Sequence, residues 1–357
     1  DKLTYLRITD INDDGSLNFS DLKSVDAEDA EKYILKENDI VFARTGNSTG
    51  RSYFYEKQHG TFVYAGFLIK FSLDPHKVNP RILKYYTHSK PYFDWVNSFD
   101  TGGTRGNINA KTYGDMEIEL PSRKVQDNIV SILSSLDRKI ELNNKINADL
   151  EEMAQAIFKN WFVDFEPFKD GKFVESELGI IPEGWKVGCL GELCKFKRGK
   201  NLLTKNAIDE GIPVVAGGLE PSCFHNVANT GAPVVTVSGS GANAGFMKMY
   251  HVPVWASDCS FIDISCENFY FVYCFLKVNS KLLKHAQTGA VQPHVKPSDI
   301  HDFELIIPDK KSIIEFQDKV KPFYDRIAAT QKESSRLSAL RDTLLPRLMS
   351  GEISIPD

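Results

Sequence analysis

The chain carries one run of residues twice, and this duplication limits its possible folds more than any other feature. Thr101-Gly102-Gly103-Thr104-Arg105-Gly106-Asn107-Ile108 lines up with Thr288-Gly289-Ala290-Val291-Gln292-Pro293-His294-Val295 at an offset of 187 positions. The same offset takes Asp115-Met116-Glu117-Ile118-Glu119-Leu120-Pro121 onto Asp302-Phe303-Glu304-Leu305-Ile306-Ile307-Pro308. It continues without a gap through Leu150/Leu337, Met153/Leu340, Ile157/Leu344 and Phe158/Leu345. Upstream, Thr45-Gly46-Asn47-Ser48-Thr49-Gly50 matches Ser240-Gly241-Ala242-Asn243-Ala244-Gly245 at an offset of 195, a drift that loop insertions would cause. Two copies with so long a period describe a duplicated domain, not a stacked array.

Each copy starts with short β-rich segments separated by glycine-rich turns: 39–43 and 66–71 in the first, 233–237 and 261–264 in the second. A further strand follows, ending at Pro121 or Pro308, and then a long helical pattern. Val125, Ile129, Ile132, Leu136, Ile140, Ile146, Leu150, Met153, Ile157 and Trp161 step mostly by three and four. Phe316, Val320, Phe323, Ile327, Leu337, Leu340, Leu344 and Leu348 do the same, which is the spacing of a coiled-coil seam. Each run spans about 40 residues, or roughly 60 Å at 1.5 Å per residue. An apolar stripe of that length needs a partner, and the simplest partner is the other helix. The expected fold class is α+β: two duplicated β-rich domains separated by a pair of long antiparallel coiled-coil helices. The expected divisions are 1–120, helix 121–165, 166–308 and helix 309–357. The second copy opens with 178–193, which has no counterpart before Asp1, so the first copy is expected to be N-terminally truncated by about 30 residues.

Composition narrows the function classes. With 357 residues, the chain is long enough for two domains of ordinary size. No apolar run approaches the 20 or so residues of a membrane span, so no membrane association is expected. The six cysteines all lie beyond residue 188 and form no CxxC pair, which argues against a zinc site and a disulfide framework. Free thiols in a cytoplasmic protein are the expectation. Net charge is −5, with 15 basic and 18 acidic groups in 1–120 and 9 and 8 in 309–357. Any affinity for nucleic acid must therefore come from local patches.

Ile181-Pro182-Glu183-Gly184-Trp185-Lys186-Val187 followed by Leu190-Gly191-Glu192-Leu193, the two Leu/Ile-Pro pairs leading into long helices, and the ending Leu344-Leu345-Pro346-Arg347-Leu348-Met349-Ser350-Gly351-Glu352-Ile353 share one pattern. In that order the chain resembles the specificity (S) subunit of type I restriction-modification systems over essentially its whole length. The resemblance implies two target recognition domains, each reading one part of a bipartite, asymmetric double-stranded DNA site. It implies docking of two modification (methyltransferase) subunits on the helices, with restriction (ATP-dependent endonuclease) subunits joining later. It also implies a non-catalytic chain without a cofactor of its own, the methyl donor, ATP and Mg²⁺ belonging to the partners.

The residues can be weighed without the resemblance. Sequence readout needs donors and acceptors on short loops, and phosphate needs cations. The first copy offers Arg44, Thr45, Asn47, Ser48 and Arg51 in one turn, then Thr104, Arg105, Asn107 and Lys111 in another. The second offers Ser240, Asn243 and Lys248, then Gln292, His294 and Lys296. Lys195, Lys197, Arg198 and Lys200 form the densest basic cluster and read as a phosphate clamp. Ser238-Gly239-Ser240-Gly241 lacks the third glycine and the Lys-Ser/Thr of a nucleotide cradle, and His294 has no sequence-adjacent partner for a catalytic dyad. A duplicated hydrolase would share catalytic residues between its copies, whereas these copies share glycines and apolar positions. A coiled-coil protein-binding adaptor without a DNA role is the remaining alternative; the acidic balance favours it and the Arg/Asn/Ser/Gln-rich loops do not.

Overall fold

The computed structural model describes residues 2–99, 106–288 and 293–353. Two compact units divide it: Asp1–Leu142 with Glu333–Asp357, and Asn143–Lys332. The division cuts both long helices, Arg123–Phe162 and Lys310–Met349, so each unit takes part of both.

The first unit contains two three-stranded sheets. In one, Leu3–Leu6 lies between Lys23–Val25, antiparallel, and Phe62–Tyr64, parallel. In the other, Asp39–Ala43 lies between Ser52–Phe54 and Leu68–Ser72, antiparallel to both. The run Asp39-Ile40-Val41-Phe42-Ala43 is buried throughout, so it reads as continuous apolar sequence without alternation. Asp39 enters this core because its carboxylate is satisfied: Ser72 Oγ donates to it at 2.6 Å, the Lys36 N–H at 2.8 Å, and Lys70 Nζ lies at 3.3 Å.

The second unit repeats both sheets with the same neighbours and directions. Ile212–Val215 pairs with Cys223–His225 and, in parallel, with Trp255–Ala256. Val234–Ser238 pairs with Met247–Tyr250 and Cys259–Asp263, and Lys197–Arg198 adds a fourth strand beside the last of these. Lys186–Cys189 pairs with Glu304–Ile307, the strand that leads into the second long helix. The expected strands at 66–71 and 261–264 occur two residues away, at Leu68–Ser72 and Cys259–Asp263. Gly66 and Phe67 instead form the tip of a turn closed by Leu68 N–H to Ala65 O at 2.8 Å.

The long helices pair antiparallel within each unit. In the second, Phe158 and Phe162 pack on Phe316 with ring centroids 5.6 and 5.1 Å apart, inside a core that includes Phe271 and Trp185. The fully buried Asn143 donates to Thr330 O at 3.5 Å, and the Thr330 hydroxyl donates to Asn147, making a polar layer among apolar ones. In the first unit Ile129, Val130 and Leu133 pack with Leu345 and Leu348 against Ile82 and Tyr85 of the helix Arg81–Tyr86. The expected seam holds at Ile129, Phe316, Val320, Ile327 and Leu348, all buried, but Ile132, Met153 and Leu340 are 38%, 49% and 46% exposed. The helices also cover the β-rich parts. Their buried face is therefore broader than a two-position seam and is centred one residue later, on Leu133, Ala154 and Phe158.

One ion cluster ties the helices of the first unit together. Asp137 receives Arg341 Nη1 at 3.0 Å and the Tyr85 hydroxyl at 3.0 Å, with Lys84 Nζ at 3.4 Å. Burial alone would raise the Asp137 carboxyl, but Lys84, Arg341 and Tyr85 together hold it below its ordinary value. A depressed folded-state value stabilises the fold above the unfolded carboxylate value near 3.9, and the contribution fades as pH falls below it. Asp137→Asn is expected to cost about 2 kcal/mol at pH 7, between the values for exposed and buried pairs. In denaturant melts the gap between wild type and variant should shrink from pH 7 to pH 3. A gap independent of pH would remove the charge from this account.

Candidate nucleic-acid interface

The two loop groups expected in each copy come together in the structure, held both times by an equivalent bridge and an equivalent backbone bond. In the first unit Thr45 bridges Asn107, and the Ile108 N–H donates to Arg44 O at 2.9 Å. Thr49 Oγ1 adds a bond to Gly106 O at 2.9 Å. In the second, Ser240 bridges His294, the Val295 N–H donates to Gly239 O at 3.1 Å, and the Gly241 N–H donates to Pro293 O at 3.1 Å. Positions 45/107 and 240/294 are the aligned pairs of the duplication, so it preserves a loop crossing and not only a strand pattern.

Glycine is required at equivalent places in these turns. Gly46 and Gly241 have φ of +76° and +79°, and Gly50 and Gly245 have φ of +88° and +78°. A Cβ on Gly245 would lie 2.6 Å from the Leu283 carbonyl oxygen, so that loop also rests closely on the helix Ser280–His285.

A third segment meets each crossing. The Arg44 N–H donates to Phe67 O and the Gly239 N–H to Asp258 O, both at 3.1 Å. Asp258 accepts Arg198 Nη2 at 2.6 Å and also the Ser240 hydroxyl. Arg198, Gly239, His294, Lys296, Pro297 and Ser298 line one open pocket. A carboxylate thus aims a guanidinium at the rim of the second crossing, a role that sequence reading missed for Asp258. The only signal for it was position: Asp258 falls where the offset drifts between 187 and 195, opposite Phe67.

The remaining expected residues separate into free and engaged groups. Arg44 is half-buried, Asn47, Asn107 and Lys111 are exposed, and none of the side chains of Arg44, Asn107 or Lys111 is paired among the described residues. Ser48 is buried. Arg51 is committed to Asp13 at 2.6 Å and Ile11 O at 3.1 Å, and Lys248 to Glu220 at 2.8 Å and to the Tyr250 ring at 5.3 Å. Asn243 donates to Gly217 O at 3.3 Å. Thr104, Arg105 and Gln292 lie outside the described residues.

The basic cluster divides by strand alternation. Phe196 is buried, Lys195 and Lys197 point into a pocket they share with Asp263 and Glu267, and Arg198 points to the loop crossing. Lys195, Lys197 and Lys200 are exposed and form no ion pair among the described residues. Cys194 and Cys266 line the same pocket as Lys195, and Cys266 together with burial pushes the Cys194 thiol up. All six cysteines are free. Among the described residues no group of three or more His, Cys, Asp or Glu side chains could hold a metal, and no helix is long and apolar enough to cross a membrane.

Fold and site define a protein built from two copies of one loop-presenting domain on a shared helix pair. The sequence profile of the type I restriction modification DNA specificity domain matches residues 2–152 and again 182–338. The chain belongs to that family. It is 31% identical to the type I restriction enzyme MjaIX specificity subunit of Methanocaldococcus jannaschii, over 77% of this chain and 69% of that one. It is 24% identical to the HindI specificity subunit of Haemophilus influenzae, over 90% of this chain and 88% of that one. The crystal structure of a type I restriction-modification S subunit from M. genitalium shares the fold, with a TM-score of 0.55 and 20% identity over 100% of this chain and 89% of that one.

Proposed function

We propose that this chain is the DNA-recognition subunit of a type I restriction-modification complex, in which each half reads one block of a split site through its loop crossing. The observation that carries this is the crossing itself, built twice on an equivalent bridge and backbone bond but edged with different side chains: Arg44, Thr45 and Asn107 in one half, Arg198, Ser240, His294 and Lys296 in the other. Equal scaffolds with unequal donors and acceptors suit two readers of different sequences. The recognition segments are 1–120 and 166–308, and the helices 121–165 and 309–357 serve as spacer and as docking surface for two methyltransferase subunits, with restriction subunits added to that assembly. The chain itself is non-catalytic, carries no cofactor and works in the cytoplasm.

Phosphate contact falls to the exposed cations. Binding of the chain to random duplex DNA should weaken steeply with salt as counterions are released, by about 0.9 log units per log unit of salt for each phosphate neutralised. Replacing Lys195, Lys197 and Lys200 by Gln should flatten that slope by up to about three units and weaken all sequences alike. Arg198 is left in place because it is paired with Asp258 at the rim of the second crossing. Binding that ignores salt would favour the protein-binding adaptor, and an unchanged slope in the variant would take this cluster off the DNA.

A further inference from the structure

Positions 67 and 258 occupy one place in the two halves, each lending its carbonyl to the residue that opens the loop crossing. Their chemistry is opposite. Asp258 is charged and holds Arg198 and Ser240, whereas Phe67 is an aromatic ring 61% exposed at the tip of its turn. Its neighbours Ala65 and Leu68 are buried, so the turn presents the ring to solvent at the crossing. The Phe67 carbonyl accepts the Arg44 N–H at 3.1 Å, which sets the residue at the crossing of Thr45 and Asn107, where donors and acceptors suit base edges in the major groove. The apolar feature that DNA offers in that groove is the C5-methyl group of thymine.

We infer that Phe67 is a specificity-determining residue of the first half, packing on a thymine methyl group in the first block of the DNA site, where the second half uses Asp258 to set polar contacts. The inference rests on the reading of the loop crossings as the DNA-contacting surface. It predicts that removing the methyl group alone weakens binding at one thymine, and only while the ring is present. Burial of one methyl-sized group corresponds to a factor of about four.

The test uses the complex with its methyltransferase partner and a duplex carrying the recognised site. Each thymine of the first block is replaced in turn by deoxyuridine, which lacks only the methyl group. Wild type should lose about four-fold affinity at one such position, and Phe67→Ala should bind the unmodified site more weakly and show no further loss there. Phe67→Leu should keep part of the effect. The inference is overturned if no thymine of the first block is sensitive in wild type, if Phe67→Ala binds as tightly as wild type, or if it keeps full sensitivity to deoxyuridine. Ring-dependent reactivity of an unstacked thymine to permanganate would also overturn it, because the ring would then be a wedge between base pairs. Arg44→Gln and Asn107→Ala separate this failure from a larger one. If they weaken binding while Phe67→Ala does not, the crossing still reads DNA and only the role of Phe67 falls; if none of the three matters, the crossing is not the reading surface.

Discussion

Adding one heptad to both long helices, after Asn144 and after Lys332, is expected to lengthen the gap between the two blocks of the DNA site by about three base pairs. Each helix passes from one compact unit into the other, at 142/143 and at 332/333. The insertion points face one another in the antiparallel pairing, as the Asn143–Thr330 bond shows. A heptad in each keeps the apolar face in register. Seven residues add about 10 Å of helix at 1.5 Å per residue, and duplex DNA rises about 3.4 Å per base pair. Neither crossing is touched, so both blocks should stay the same. Mapping the sites methylated by the complex reads gap and blocks together. An unchanged gap with an altered block would show that the helices do not set the spacing, and loss of the methyltransferase partner would place its docking surface on the inserted region.

The largest stability effect is expected at Phe316. Its ring is fully buried and meets Phe158, Phe162 and Phe271, so one side chain joins both long helices to the helix Phe269–Val278 of the second unit. Phe316→Ala removes a ring from a close-packed centre and should cost about 3–5 kcal/mol. Ile314, two residues away on the same helix, is 43% exposed, and Ile314→Ala should stay within about 0.5 kcal/mol. Denaturant melts of the two variants should differ by that margin. Equal costs would mean that the helix does not bury the face assigned to it here.

The glycine turns that build the crossings were legible in the sequence because their requirements are local, whereas the meeting of each turn with its second loop was not. A left-handed turn needs glycine, and Gly46, Gly50, Gly241 and Gly245 recur at fixed spacing for that reason. The long helices were legible from periodicity, but not their buried face. Ile132 and Met153 fit a two-stranded seam, and they are exposed because each helix also packs on domains whose position the pattern does not encode. Side-chain commitments were hidden for a similar reason. Arg51 and Lys248 look like available cations until the fold brings Asp13 and Glu220 to them across 38 and 28 residues of chain. Asp258 was hidden in the opposite sense, as an ordinary acidic residue that gains its role only when Arg198 and Ser240 arrive from other strands.

The central claim, one half for one block, is tested most directly by changing the second crossing alone. His294→Ala combined with Lys296→Ala removes polar groups at the rim of that crossing and leaves its backbone bridges in place. Each lost base contact should relax discrimination by about 1–3 kcal/mol. Mapping the sites methylated by the complex should then show a degenerate second block, with the first block and the gap as in wild type. Equal degradation of both blocks would contradict the account.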